Sequence, residues 1–157
     1  MNFDLKRKNI YLLIFIYSII AILSAIYIEK VLGYLPCKLC IYQRIPFLLA
    51  IFVCFLGYNY NKSERILIAL VLVFTLSTAL AGYHFGIENS IFEEYAGCVN
   101  TNMDITNKGK IMESLGMVKN CKEVEFRILG ISLSGLNFLT SLLIVLFSLR
   151  ALIYEKD

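Results

Sequence analysis

Residues 66–86 read ILIALVLVFTLSTALAGYHFG, a run that contains no charged side chain. A helix needs about 20 predominantly apolar residues to cross the hydrocarbon core of a bilayer. Three further uncharged runs occupy residues 10–28, 45–60 and 128–149. Inside a bilayer every backbone polar group needs a partner within the protein, so apolar stretches of this length favour helices. The sequence therefore predicts an all-α membrane protein, a bundle of four transmembrane helices.

The composition indicates the same class of protein. Of the 157 residues, 59% are apolar, and the mean hydropathy of +0.71 lies above that of soluble domains. The run at 45–60 is the shortest, and it reaches spanning length when its helix starts near Cys40. The first run is longer than the apolar core of a secretory signal, and we interpret it as a retained helix. We expect one domain over residues 1–157, with transmembrane helices at about residues 10–28, 41–60, 66–86 and 128–149.

Positive charge predicts the orientation of these helices, because lysine and arginine collect in cytoplasmic loops near helix ends. Such residues precede the first helix, occupy the turn between the second and third, and follow the fourth: Lys6, Arg7, Lys8, Lys62, Arg65, Arg150 and Lys156. Both termini are therefore expected in the cytoplasm. The loops at about residues 29–40 and 87–127 are expected on the periplasmic side of a bacterial inner membrane. The net charge of +3 reflects this topology and does not indicate a nucleic-acid partner.

Four of the five cysteines fall in the two predicted outer loops. Cys37 and Cys40 lie in the first loop, and Cys98 and Cys121 lie in the second. Disulfides form and persist outside the bacterial inner membrane, so this placement favours thiol chemistry. Cys54 lies inside the second apolar run, where a lone thiol behaves as a small hydrophobic side chain.

Three interpretations of the four outer cysteines are open. A disulfide between Cys98 and Cys121 would be a structural staple worth roughly 3 kcal/mol on the chain-entropy model. All four thiolates together would make a zinc site, in a protein with no enzymatic activity. The third interpretation is a redox centre, and Cys37 and Cys40 favour it. A bond across two intervening residues removes little chain entropy, whereas two neighbouring thiols can make and break a disulfide repeatedly.

Arg44 gives the close cysteine pair a cationic neighbour. Cys40 is expected at or just before the start of the second helix, whose amino-terminal end carries partial positive charge. Arg44 lies four residues later, on the same face if that segment is helical, although Pro46 allows the regular helix to begin nearer Ile45. Both features favour a thiolate at Cys40. A guanidinium at the membrane boundary also suits a lipid-soluble quinone as the electron acceptor.

Three segments resemble one known family over nearly the whole chain. They are PCKLCIYQR at 36–44, YHFGIE at 83–88 and CKEVEFRILGISLSGLN at 121–137. With four helices and one cysteine pair in each outer loop, they resemble the DsbB (disulfide bond formation protein B) family. The resemblance implies a membrane thiol oxidase that reoxidises a DsbA-like periplasmic oxidant of thioredoxin fold and passes the electrons to a quinone. The implied quinone is ubiquinone rather than menaquinone, and we expect no metal.

The resemblance also implies roles for individual residues. Cys98 would form the mixed disulfide with the partner, and Cys121 would link its own bond to the first pair. Cys37 would receive the electrons, and Cys40 would contact the quinone. Arg44 and His84 are the predicted quinone-binding residues. Gln43 stands where an acidic residue is common in the family.

Small and polar side chains predict which helix faces pack together. They recur at four-residue spacing or close to it in the third and fourth helices: Thr78, Gly82, Gly86, Gly130, Ser134, Asn137 and Ser141. Asn137 is expected to hydrogen-bond to another helix, and Glu88 to pair with His84 or Arg44. Residues 109–117, GKIMESLGM, are predicted to form a short amphipathic helix on the membrane surface.

Overall fold

The computed structural model describes residues 7–59, 64–93, 121–122, 126–128 and 130–154. Within these ranges, four spans are long and apolar enough to cross a membrane: Lys8–Lys30, Lys38–Asn59, Glu64–Glu88 and Leu133–Ile153. The predicted class, a four-helix membrane bundle, is confirmed. Cys98 and the predicted helix at 109–117 lie outside the described residues.

The elements are α1 (Arg7–Lys30), α2 (Lys38–Tyr42), α3 (Arg44–Asn59), α4 (Glu64–Glu88), β1 (Arg127–Ile128), β2 (Ile131–Ser132) and α5 (Leu133–Tyr154).

The second membrane span is divided at Gln43 into a short helix, α2, and a longer helix, α3. Pro46 explains the division, because it lacks the N–H that would bond to the Tyr42 carbonyl and its ring crowds that carbonyl. Gln43 keeps helical backbone angles and donates its own N–H to the Leu39 carbonyl at 3.0 Å. The two pieces therefore continue in nearly the same direction. The span begins at Lys38, three residues before the predicted start at 41.

The last helix begins at Leu133, and the prediction of a helix from residue 128 is wrong at its start. Gly130 has a φ of +85°, a left-handed conformation that glycine adopts without cost and that interrupts a right-handed helix. The chain turns there, and Ile128 pairs with Ile131 in a two-strand hairpin. The Ser132 hydroxyl then accepts the Gly135 N–H at 3.2 Å, which caps the first turn of α5. Gly130 is thus an exposed turn residue and not part of a helix interface.

Glycines allow α4 and α5 to approach closely. A Cβ added to Gly82 would lie 3.1 Å from the Phe138 ring, and one added to Gly135 would lie 3.0 Å from the Phe85 ring. Each helix thus presents a glycine to an aromatic ring of the other, which confirms the predicted packing at Gly82. Gly86 faces Phe92 beyond the end of α4.

The largest buried cluster lies toward the end of the bundle where α1 begins. It joins α1, α3 and α4 through Ile10, Tyr11, Ile14, Phe47, Ala50, Cys54, Leu67, Leu70 and Phe74. Cys54 is a free thiol within this cluster, as its place in an apolar run predicted. A second cluster, Cys37, Leu39, Ile87 and Cys121, lies at the opposite end of α4. Cys37 and Cys121 are therefore separated from the main core.

Replacing Gly82 with valine is expected to lower the thermal unfolding midpoint in detergent. The new side chain would press on the Phe138 ring, and overpacking of this kind costs about 1–3 kcal/mol. Ala79→Val is the matched control, because Ala79 lies on an exposed face of the same helix. Equal midpoints for the two variants would contradict the close approach of α4 and α5.

Candidate active site

Cys37 and Cys40 lie at the start of the second span with their sulfurs in contact. Cys37 is the N-cap residue of α2, and its Sγ accepts the Cys40 backbone N–H at 3.3 Å. Cys40 lies in the first turn of that helix, and its Sγ lies 3.1 Å from the Cys37 Sγ. Both thiols are free. Their separation suits a bond that can close without moving the backbone far.

Cys37 is the sulfur whose thiolate this geometry stabilises. The hydrogen bond from the Cys40 thiol, followed by the contact with His84 at 3.5 Å, lowers the pKa of Cys37 well below that of an ordinary thiol, against the opposing effect of burial. The sequence argument had favoured a thiolate at Cys40. In the structure the second span begins about one turn earlier than predicted. Cys37 therefore takes the N-cap position of α2, and Cys40 becomes its hydrogen-bond donor.

A lowered pKa predicts an unusual pH profile for the alkylation of Cys37. The thiolate reacts and the thiol does not, so reactivity is lost only as the pH falls through the lowered pKa. We expect the rate with iodoacetamide to change little between pH 8 and pH 6. For a thiol with the ordinary pKa of about 8.5, the alkylation rate would fall roughly tenfold per pH unit over this range. The measurement is mass spectrometry of alkylated Cys37, with the denatured protein as the control. Coinciding profiles for the folded and denatured protein would contradict the arrangement.

His84 lies beside this pair in the last turns of α4, with only 2% of its side chain exposed. Its Nε2 is 3.5 Å from the Cys37 Sγ and 3.5 Å from a Glu88 carboxylate oxygen. Its Nδ1 is 2.8 Å from the amide nitrogen of Gln43. Of the two predicted partners for Glu88, the structure shows His84. The ring is thus held on both nitrogens.

Cys121 joins the same group from the segment before the hairpin. It is disulfide-bonded, buried, and packed in the cluster that contains Cys37 and Ile87. A backbone hydrogen bond also connects it to His84. The fold therefore brings one cysteine of the second pair against the first pair. Cys98, its predicted partner, lies outside the described residues.

Polar side chains continue from His84 into the membrane-spanning part of the bundle. Asn137 donates its amide to the Gln43 Oε1 at 2.8 Å, which confirms the predicted contact of Asn137 with another helix. The Ser141 hydroxyl donates to the Asn137 Oδ1 at 2.9 Å and lies 3.1 Å from the Ser77 hydroxyl. This series of hydrogen-bonded side chains was not predicted from the sequence. Its members carry no charge and come from three separate segments, so only the four-residue spacing of Asn137 and Ser141 signalled part of it.

Arg44 is held by an ion pair across the bundle. Its Nη1 lies 2.7 Å from a carboxylate oxygen of Glu29, near the end of α1, and both side chains are partly buried. Glu88 was predicted as a possible partner for Arg44, and Glu29 was not. Glu29 and Arg44 are 15 residues apart, and only the reversal of the chain between α1 and α2 brings them together.

A cavity of about 390 Å³ opens beside the cysteines among α1, α3, α4 and α5. Aliphatic and aromatic side chains form most of its wall. The polar groups that line it include Cys37, Cys40, Arg44, His84, Glu88 and Asn137. Its size and mixed lining are typical of a site for a small, mostly apolar molecule that carries a few polar atoms.

The sulfur and nitrogen atoms of Cys37, Cys40 and His84 lie within 4.8 Å of one another. Three such donors are close enough to share a soft metal ion. However, an amide N–H of Gln43 points at the His84 Nδ1, so the ring proton belongs on Nε2, the nitrogen that faces the sulfurs. In this arrangement the ring offers its N–H to the sulfurs.

Comparisons with known proteins agree with these features. A family model described as disulfide bond formation protein DsbB matches residues 7–151. The chain is 28% identical to an uncharacterized protein of Rickettsia prowazekii over 158 residues, which covers 97% of this chain and 91% of the relative. It is 34% identical over 95 residues to a protein of Oceanobacillus iheyensis named a probable disulfide formation protein, covering 59% of this chain and 63% of that protein.

The family match runs from the first residue of α1 to the last turns of α5. It includes both cysteine pairs and every residue around the cavity, so it concerns the whole bundle and not one short motif. This chain belongs to the DsbB family and is a multi-pass membrane protein that forms disulfide bonds.

Proposed function

We propose that this protein oxidises the dithiol of a soluble, DsbA-like partner of thioredoxin fold and passes the electrons to a membrane quinone. One observation carries the proposal. The Cys37 and Cys40 pair shares a buried cluster with disulfide-bonded Cys121 on one side and lines a mostly apolar cavity on the other. A thiol relay to a lipid-soluble acceptor needs both neighbours.

The relay consists of exchanges in which one S–S bond forms as another breaks. The partner's first thiolate attacks Cys98 of a Cys98–Cys121 disulfide and releases Cys121. The Cys121 thiolate attacks Cys37 of a Cys37–Cys40 disulfide and releases Cys40. The partner's second thiol resolves the mixed disulfide and releases Cys98, which attacks Cys121 and releases Cys37. The partner is then oxidised, and two electrons and two protons rest on Cys37 and Cys40.

The cavity has the groups that a quinone head would need. A bound quinone would supply the oxidising power, accepting two electrons and two protons in all. Arg44 would donate hydrogen bonds to a carbonyl oxygen and stabilise the negative charge that develops there. Cys40 would face the acceptor, and His84, with Glu88 beside it, would hold or move a proton. We propose ubiquinone rather than menaquinone as the acceptor.

The orientation in the membrane is part of the proposal. Lys8 lies over the Tyr58 ring at the end of α3, and Arg65 lies in the first turn of α4 near the same end of the bundle. These cations lie away from the cysteines, as the positive-inside rule requires if Cys37 and Cys121 face the periplasm. A bacterial inner membrane then gives the cysteine end both an oxidising compartment and access to the quinone pool.

A turnover assay tests the proposal. The detergent-purified protein is mixed with a reduced thioredoxin-fold dithiol and ubiquinone, and loss of the ultraviolet absorbance of the quinone is followed. We expect many turnovers, faster with ubiquinone than with menaquinone, and Cys54→Ser should retain them because Cys54 lies in the separate core cluster. Stoichiometric zinc in the purified protein, together with no consumption of either quinone, would instead support the structural zinc interpretation.

A further inference from the structure

A buried chain of amide and hydroxyl groups ends on the histidine beside the reactive cysteines. It runs from Ser141 to Asn137, from Asn137 to Gln43, and from Gln43 to His84, with distances of 2.9, 2.8 and 2.8 Å. Gln43 is 7% exposed and Ser141 is fully buried. In such surroundings an unmatched donor or acceptor is costly, so the direction of each hydrogen bond is strongly constrained.

The chain has a direction because each amide has one donor end and one acceptor end. The Ser141 hydroxyl donates to the Asn137 oxygen, which turns the Asn137 nitrogen toward Gln43. The Gln43 oxygen accepts from it, which turns the Gln43 nitrogen toward the His84 Nδ1. A nitrogen that faces an N–H donor at 2.8 Å must accept.

This direction leaves the histidine proton on Nε2. That nitrogen lies 3.5 Å from the Cys37 Sγ and 3.5 Å from the Glu88 carboxylate, so the N–H is available to a thiolate. With the opposite tautomer, a lone pair would face the sulfur and repel its negative charge. A proton on Nδ1 would point at the Gln43 N–H, which disfavours the Nδ1-protonated tautomer.

We propose that Gln43 and Asn137 are positioning residues that hold His84 as its Nε2-protonated tautomer, so that the ring donates a hydrogen bond to the Cys37 thiolate. The inference rests on the proposed redox role of Cys37. In the relay Cys37 is the last sulfur to be released, and a stabilised thiolate leaves faster. Gln43 thus acts on the reaction only through His84.

Among the residues that the structure describes, few titratable groups face Cys37, so the effect can be measured there. Its own helical turn contributes the Cys40 thiol, and α4 contributes His84 with Glu88 behind the ring. The segment before the hairpin contributes Cys121, which is disulfide-bonded and does not titrate. A change in the protonation of Cys37 on altering Gln43 would therefore be transmitted through His84.

The first test observes the tautomer directly. His84 is the only histidine in the chain, so labelling with ¹⁵N-histidine gives the two nitrogen resonances of one ring in the full-length, detergent-solubilised protein. We expect an unprotonated Nδ1 and a protonated Nε2 at neutral pH. Protonation at Nδ1, alone or together with Nε2, would overturn the proposal.

The second test removes the donor. Gln43→Met keeps the length of the side chain but cannot donate to Nδ1, so the Nε2-protonated tautomer should lose its preference in the same spectrum. The pH at which Cys37 alkylation falls to half its plateau should rise by about one unit, because the charged Cys37 sulfur loses part of the stabilisation that the Nε2 hydrogen bond supplies. Asn137→Leu removes the group that orients Gln43 and should shift both readouts less, in the same direction.

Thr78→Val is the matched control for these variants. The Thr78 hydroxyl bonds only to the Phe74 carbonyl of its own helix among the contacts described, so its loss should change neither readout. If Gln43→Met does not fold, Asn137→Leu and the spectrum of the unaltered protein still decide the question. A wild-type spectrum and pH profile in Gln43→Met would refute the positioning role. Neither readout uses quinone or partner, so failure here is distinct from failure of the relay.

Discussion

Replacing Cys40 with serine is expected to lower quinone-dependent turnover by a factor on the order of 10³ or more, the loss that accompanies removal of a group that forms the covalent intermediate. A hydroxyl cannot form the Cys37–Cys40 disulfide, so the proposed sulfur relay would have no oxidised form to which Cys121 could pass electrons. The Cys98–Cys121 disulfide would remain able to exchange once with the partner. The variant should therefore oxidise at most one equivalent of partner dithiol, which a stopped assay of free thiols would measure.

Cys54→Ser makes the same atomic change at a thiol that takes no part in the relay. Cys54 lies in the core cluster with Phe47, Leu67 and Leu70, so this variant should retain turnover even if its unfolding midpoint falls. Repeated turnover by Cys40→Ser would remove Cys40 from the path of the electrons. An equal loss in both variants would show that the assay reports folding instead of chemistry.

The second large effect is expected for Arg44→Ala, as a rise of about tenfold or more in the apparent KM for quinone. A hydrogen bond from a charged group is worth about 1.5–3 kcal/mol, which corresponds to roughly 10-fold to 100-fold in binding. Exchange between Cys98 and the partner dithiol should persist, because that step precedes the quinone. Quinone titrations under steady-state conditions and single-turnover exchange measure the two steps separately.

Two controls separate quinone binding from the structural role of the ion pair. Arg65→Ala removes an exposed arginine at the far end of α4 and should leave the KM unchanged. Glu29→Gln breaks the charged partnership with Arg44 but keeps the guanidinium beside the cavity. If the KM for quinone rises as much in Glu29→Gln as in Arg44→Ala, the effect belongs to the ion pair itself. An unchanged KM in Arg44→Ala would remove Arg44 from the quinone site.

The membrane spans were predictable because each depends on local composition. An apolar run of sufficient length must be helical in a bilayer, whatever it packs against. The wrong predictions concern the ends of the apolar runs, where length and hydropathy do not determine the helix boundary. The start of α5 depends on Gly130 and the Ser132 cap, and the division of the second span depends on Pro46. Hydropathy does not distinguish a helix from an apolar turn, so residues 128–132 were assigned to the helix.

The site was predictable only in part. Cys37 and Cys40 carry a short-range signal, since two residues of spacing put both sulfurs on one turn, and the family resemblance extended the prediction to His84. The partners of these residues have no such signal. Glu29 and Arg44 are 15 residues apart in the sequence, and Gln43 and His84 are 41 residues apart. Contacts over such separations depend on how the helices rotate and cross, which no local pattern encodes.

The sequence alone was sufficient to predict a four-helix membrane protein with two pairs of cysteines between its apolar runs, because chain length, hydropathy and spacing are properties of the chain itself. The folded bundle was needed to show which sulfur is stabilised as the thiolate, which acid holds Arg44, and which nitrogen of His84 faces Cys37. Those outcomes depend on distances of about 3 Å between different helices. Such distances are set by the joint packing of α1, α3, α4 and α5, and changing any one helix would alter them.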